Sequence, residues 1–254
     1  MKITYLLLAS AIFASAACNA EKGGNAVGGG PEVTAKAVPA PNNGDWTATV
    51  SKTAEGGFLM GNPNAKVKLV EYGSMTCPHC AAFDEKGTKP LLENYVKKGI
   101  VSFEFRNYVR DPYDLTASLI ARCGGASSFF GLTRNLYSDQ TNWIGKIQAA
   151  DPAKMQSLQA MPPAQQFSTI ADLAGFKQFA SQRGVPQAKS SACLADQASV
   201  DELVRMNSDA IAQYPQFPGT PTFIINGSMV ELGPVTEDQV WPTLETKIKE
   251  ALAG

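Results

Sequence analysis

The chain has 254 residues, with 22 Lys+Arg against 23 Asp+Glu, a formal net charge of -1, and 44% hydrophobic residues. So balanced a charge provides no basic field to recruit nucleic acid or an anionic membrane surface. The apolar share suits an ordinary globular core, and the length allows one or two domains.

The chain opens as an export signal over residues 1–20. A short basic start, "MK", precedes "ITYLLLASAIF", an apolar run too short to span a bilayer as a stable helix, and then small residues in "ASAACNA". Residues 21–45, "EKGGNAVGGGPEVTAKAVPAPNNGD", have no aromatic residue and little apolar surface, so they read as a flexible tether. Cleavage after Ala17 would leave Cys18 as the first residue, ready for a lipid anchor; cleavage after Ala20 would remove it. "SAAC" resembles a lipoprotein signal, with Ser15 where leucine is usual.

The folded part is expected from Trp46 onward as one domain. "AKVKLVEYG" (65–73) reads as a buried strand, followed at once by Cys77-Pro78-His79-Cys80. "AAFDEKGTKPLLENYVKKG" reads as a helix interrupted near Gly87 and Pro90 and ending at Gly99. "IVSFEFRNYVR" (100–110) alternates as a second strand, which completes a βαβ unit over residues 46–110. Residues 111–213 carry only helical patterns. Then Thr222–Ile225 reads as a strand, Asn226-Gly227 as a turn, and "SMVELG" as its hairpin partner. Thr236 N-caps a last helix that contains Pro242. The expectation is therefore an α/β fold whose halves, 46–110 and 214–254, flank an all-helical insertion.

The Cys77–Cys80 motif sits at a strand-to-helix junction, with Pro78 at the first helical position. Unpaired N–H groups and the helix dipole favour a thiolate on Cys77, and His79, the single histidine, adds a ring N–H or a positive charge. A thiolate is the nucleophile of disulfide exchange, so Cys77 is read as the attacking cysteine and Cys80 as the resolving one. A stabilised thiolate also stabilises the reduced form. A pKa of about 4 would give about 4 kcal/mol at pH 7, or about 90 mV toward an oxidant.

Taken together, "EYGSMTCPHCAAF" and the later "GTPTFIING" resemble the DsbA family of periplasmic thiol:disulfide oxidoreductases, over most of residues 58–252. The resemblance implies a thioredoxin-like fold with a helical insertion, and no cofactor beyond a redox-active Cys77–Cys80 disulfide. It implies that Pro221 is a cis-proline facing the cysteines and that Thr220 and Pro221 meet the client's backbone. Glu71 matches a buried acid that helps move the second cysteine's proton, and Asp84 matches a further acidic position; a solvated helix charge is the alternative for Asp84. Expected partners are folding exported proteins and a membrane, quinone-linked reoxidant of DsbB type, in the periplasm. DsbA oxidases often carry Val where Thr220 stands; Thr is commoner among reductive and isomerase relatives.

Three other readings compete. A zinc site needs four ligands, and Cys77, His79 and Cys80 with no second histidine do not provide them, so no metal site is expected. A structural Cys77–Cys80 disulfide would close too short a loop to constrain much. A tethered, non-catalytic protein that binds clients or metal is the last. Cys123 and Cys193 read as a structural disulfide between helices, worth on the order of 4 kcal/mol by loop entropy; free thiols or an accessory redox pair are the alternatives. Phe129, Phe130, Trp143 and Phe217 could line a peptide groove, although core positions suit them better. The tether shows neither heptads nor strands, which favours a monomer and hence an oxidase over an isomerase or reductase.

Overall fold

The computed structural model describes residues 35–41 and 44–254. The expected export signal, Cys18 and most of the tether lie outside these residues. Six strands form one sheet in the order β1-β2-β4-β3-β5-β6. They are β1 (Val50–Lys52), β2 (Phe58–Met60), β3 (Val67–Gly73), β4 (Val101–Asn107), β5 (Thr222–Ile225) and β6 (Ser228–Met229). β3 and β4 pair in parallel and every other pair is antiparallel.

The crossover from β3 to β4 begins with α1 (Pro78–Phe83) and α2 (Lys89–Leu91). The expected interruptions near Gly87 and Pro90 are present as widened turns, Asp84–Thr88 and Leu92–Val96, and the helical path continues through them. A proline cannot donate the bond a regular helix requires, and a wider turn absorbs the defect without breaking the path. Gly99 then ends it with φ +69, and a side chain there would collide with the Trp46 indole.

The insertion is all helical: α3 (Pro112–Arg122), α4 (Ala126–Ser138), α5 (Gln140–Gln148), α6 (Pro152–Leu158), α7 (Pro163–Ala174), α8 (Phe176–Ser181), α9 (Gln187–Leu194) and α10 (Gln197–Gln213). Cys123, at the C-terminus of α3, is joined by a disulfide to Cys193 of α9, 70 residues away. The last helix, α11 (Glu237–Ala253), starts with a capping box formed by Thr236 and Gln239. No helix among the described residues is long and apolar enough to cross a membrane.

Three features differ from the sequence reading. β4 does not leave one face to solvent: Val101 through Phe105 are all buried, Ser102 and Glu104 included. Packing covers both faces of this central strand even though its sequence alternates: Phe103 and Phe105 lie against Phe130 and Phe129 of α4, and Thr53 and Arg106 bond Glu104. β1 and β2 had no distinct signal, because three residues are too few to show a period. Finally, the end of the expected tether is docked. The Val38 N–H donates to Lys98 O, and the Trp46 indole donates to Val38 O at 2.8 Å. A buried indole N–H requires an acceptor, and the upstream chain provides it.

Candidate active site

Cys77 is the extended N-cap residue of α1, with Pro78 in the first turn and Cys80 facing the core. Both cysteines are buried free thiols. The Cys77 thiol donates to the Thr220 carbonyl at 3.2 Å, across 143 residues of sequence. The Thr220–Pro221 peptide is cis. One strand thus delivers the cysteines and another loop lies against the outer sulfur.

The three residues before Cys77 are held by the insertion. Asp114 of α3 is fully buried and accepts from Ser74 Oγ at 2.6 Å, the Met75 N–H at 2.8 Å and the Arg110 N–H at 3.0 Å. Gln140 of α5 donates to Met75 O at 2.8 Å and Cys77 O at 3.0 Å, and Tyr137 of α4 donates to Ser74 O at 3.2 Å. Thr76 is bound through its hydroxyl, which donates to Asp111 and accepts from Arg110. A turn cannot satisfy its own buried backbone, and here three insertion helices do so. Asp114→Asn exchanges one acceptor oxygen for a donor that faces donors. It should destabilise the protein by about 2 kcal/mol in chemical denaturation, and an unchanged midpoint would refute this role.

The two thiols have opposite environments. The Cys77 thiol is pushed down to about 5, first by a hydrogen bond from Cys80 and against burial, with Thr220, the Cys80 backbone N–H and the charge on Arg110 adding to the effect. As a thiol it donates to the Thr220 carbonyl. Once ionised it can only accept, and the Thr220 hydroxyl, buried and otherwise unpartnered, can then donate to it. Burial pushes Cys80 well above the usual thiol range, reinforced by its bond to Cys77 and the nearby Glu71.

The His79 side chain is 65% exposed and its Nδ1 lies 3.0 Å from Glu237 Oε1, while the charge on Arg110 adds to the lowering of Cys77. Sequence reasoning missed Arg110, Asp111, Asp114, Tyr137 and Gln140. Their one local trace is Asp111-Pro112, a helix start. Arg110→Met should raise the Cys77 pKa by about half a unit, read from thiolate absorbance against pH. An unshifted titration would remove Arg110 from the site.

Glu71 is buried on β3, and burial, then Asp84 and Cys77, hold its carboxyl well above the usual range. Asp84 is not a solvated charge: its side chain is 16% exposed, and burial raises it against Arg134 at 3.7 Å and a bond from Thr88. A groove of about 780 Å³ beside the cysteines is lined by His79, Phe83, Pro221, Phe223, Val230 and Leu232. Phe129, Phe130 and Trp143 are in the core; Phe217 is half-buried, stacked on Tyr108 at 4.6 Å. Cys123 and Cys193 remain within the insertion, on α3 and α9. Among the described residues no cluster of three or more His, Cys, Asp or Glu could hold a metal ion.

A family model described as thioredoxin matches residues 53–246. A crystal structure of a protein-disulfide isomerase from Novosphingobium aromaticivorans is 34% identical, covers 75% of this chain and 96% of that one, and superposes with a TM-score of 0.69. Wolbachia pipientis alpha-DsbA1 shares the fold at 20% identity, with a TM-score of 0.57 over 85% of this chain and 94% of that one. Two curated relatives, from Rickettsia bellii and Rickettsia felis, carry the name protein-disulfide oxidoreductase; they are 28% and 26% identical over 71% and 78% of this chain. The chain spans 61% and 63% of the length of those relatives. It belongs to the thioredoxin family and has the DsbA-like form of that fold, with a helical insertion.

Proposed function

We propose that the protein is a thiol:disulfide oxidoreductase that donates a Cys77–Cys80 disulfide to cysteine pairs of folding, exported proteins. The observation that carries this reading is the split between the two thiols, Cys77 down at about 5 and Cys80 pushed up. Cys77 accepts the client's attack and later leaves easily as a thiolate; Cys80, expelled in the first step, takes up a proton that burial then holds in place. Thr220 lies against Cys77, and Pro221, the next residue, lines the apolar groove, where an extended client segment can lie. Pro78 starts the helix that carries Cys80. A monomer in the periplasm, reoxidised by a quinone-linked membrane partner of DsbB type, completes the reading.

Equilibrating the protein with glutathione tests it. The expected midpoint is less negative than about -200 mV, and one near thioredoxin's value of about -270 mV would overturn the donor direction. Two observations favour the other direction, that of a reductase or isomerase: Thr220 beside Cys77, and the 34% identical relative named as a protein-disulfide isomerase.

A further inference from the structure

Thr220 meets Cys77 from a loop with few bonds to the rest of the fold. The loop runs from Tyr214 to Pro221, between α10 and β5. Pro215, Pro218 and Pro221 have no N–H to donate. The Phe217 N–H donates to Tyr214 O at 2.9 Å and the Thr222 hydroxyl to Gly219 O at 2.6 Å, which closes the loop on itself. Among the described residues, no hydrogen bond ties residues 215–219 to any part of the chain outside residues 214–222. A segment with so few outside bonds opens locally at little cost unless its side chains are buried elsewhere.

Phe217 is the side chain that does this. Gln216 and Pro218 line the apolar groove, whereas Phe217 joins a separate cluster with Tyr72, Tyr108, Tyr214 and Ile224. Its ring stacks on Tyr108 with centroids 4.6 Å apart and meets Tyr72 edge-on at 5.4 Å. Both are arrangements that the aromatic quadrupole favours. Tyr72, buried on β3, also receives Tyr214, at the start of the loop, edge-on at 6.2 Å. Tyr108 is itself fixed. It follows β4, and its N–H donates to Gly73 O at 2.8 Å. Asn207 of α10 holds the next residue, Val109, accepting from its N–H at 2.9 Å and donating to its carbonyl at 2.6 Å. Arg110 comes after it. The stack therefore joins the loop that carries Thr220 to the segment that carries Arg110, and both of those residues act on Cys77.

We infer that Phe217 and Tyr108 are positioning residues: their stacked rings hold the Thr220 loop and the Arg110 segment together against Cys77, so that an aromatic contact remote from the sulfur helps to set its reactivity. The role assigned to the two rings rests on the oxidoreductase reading, in which Cys77 takes and yields the client's bond. Without the stack, the loop loses the contact that joins it to Tyr108, and the Thr220 carbonyl and hydroxyl are no longer held at Cys77. The thiolate then loses a hydrogen-bond donor, and a thiolate with fewer donors is a stronger base.

The test is the thiolate absorbance of the reduced protein against pH. Phe217→Ala should raise the Cys77 pKa by about one unit. The equilibrium with glutathione at pH 7 should then move about tenfold toward the protein disulfide, since one unit is a factor of ten. Tyr108→Ala should shift the titration in the same direction, and Tyr108→Phe, which keeps the ring, should titrate as the wild type does. Thr220→Val removes the hydroxyl alone; in the Phe217→Ala background it should add less than about half of its effect in the wild type. A merely structural role lowers the denaturation midpoint and leaves the Cys77 titration unshifted, and that result overturns the inference. Full additivity of Phe217→Ala and Thr220→Val overturns it as well, because Phe217 would then not act through Thr220. Should Phe217→Ala fail to fold, Phe217→Leu, which keeps apolar volume but loses the stack, decides by the same titration. A wild-type protein that forms no Cys77–Cys80 disulfide with glutathione would sink the oxidoreductase reading instead, and the titration would still decide the role of the two rings.

Discussion

Cys80→Ser should stop turnover and leave clients covalently attached to Cys77. The variant cannot form the internal disulfide, so it has none to donate. When Cys77 attacks a client disulfide, the resulting mixed disulfide has no neighbouring thiol to resolve it. A thiol held beside that bond acts at an effective concentration of 10⁵ M or more, so turnover should fall by at least about 1,000-fold. The matching Cys77→Ser variant should trap nothing, because burial keeps the proton on Cys80 and a protonated thiol does not attack a disulfide. Non-reducing electrophoresis with mass spectrometry of the adducts reads both. Retained turnover in Cys80→Ser, or adducts on Cys80 in Cys77→Ser, would refute the assignment of roles.

The reduced protein should gain stability over the oxidised protein as pH rises from 5 to 7. Cys77 titrates at about 5 in the fold and near 9.0 when unfolded. Because its folded value is depressed, its contribution is complete above pH 9 and disappears as pH falls through 5. At pH 7 about half of it is present, about 2 kcal/mol after allowance for screening by solvent. Cys80 is shifted the opposite way and is neutral at pH 7 in both states, so it contributes nothing there. The oxidised protein has no thiol to titrate. Denaturant midpoints of both forms at pH 5 and pH 7 check this; a difference that does not move with pH would refute the depressed Cys77. The same free energy makes the disulfide about 40 mV more oxidising than an unperturbed pair, less than the shift that a value near 4 would give.

The order of elements was legible because its signals are local. The β-branched run before Cys77, the proline at the first helical position, the Asn226-Gly227 turn and the Thr236 cap each act within a few residues. The helical insertion was legible as well, since amphipathic periodicity needs no knowledge of neighbours. β1, β2 and the burial of β4 were not, because short strands and two-sided coverage depend on what packs against them. The seating of residues 35–41 was hidden for a related reason: a low-hydrophobicity segment docks once a single indole requires its carbonyl.

At the site the division follows the range of the forces. By itself the sequence determined that a cysteine pair spaced for a disulfide stands at a helix start, because that arrangement is local. The family resemblance pointed to Glu71, on the strand leading to that pair, as a buried acid, and it is buried. Only the tertiary structure decided what surrounds that pair: the charge of Arg110 near Cys77, the Thr220 carbonyl at 3.2 Å, and Asp114, Tyr137 and Gln140 around the preceding turn. Hydrogen bonds and charges act through space over a few ångströms, and these residues reach Cys77 only after chain separations of tens to more than a hundred positions are closed by folding.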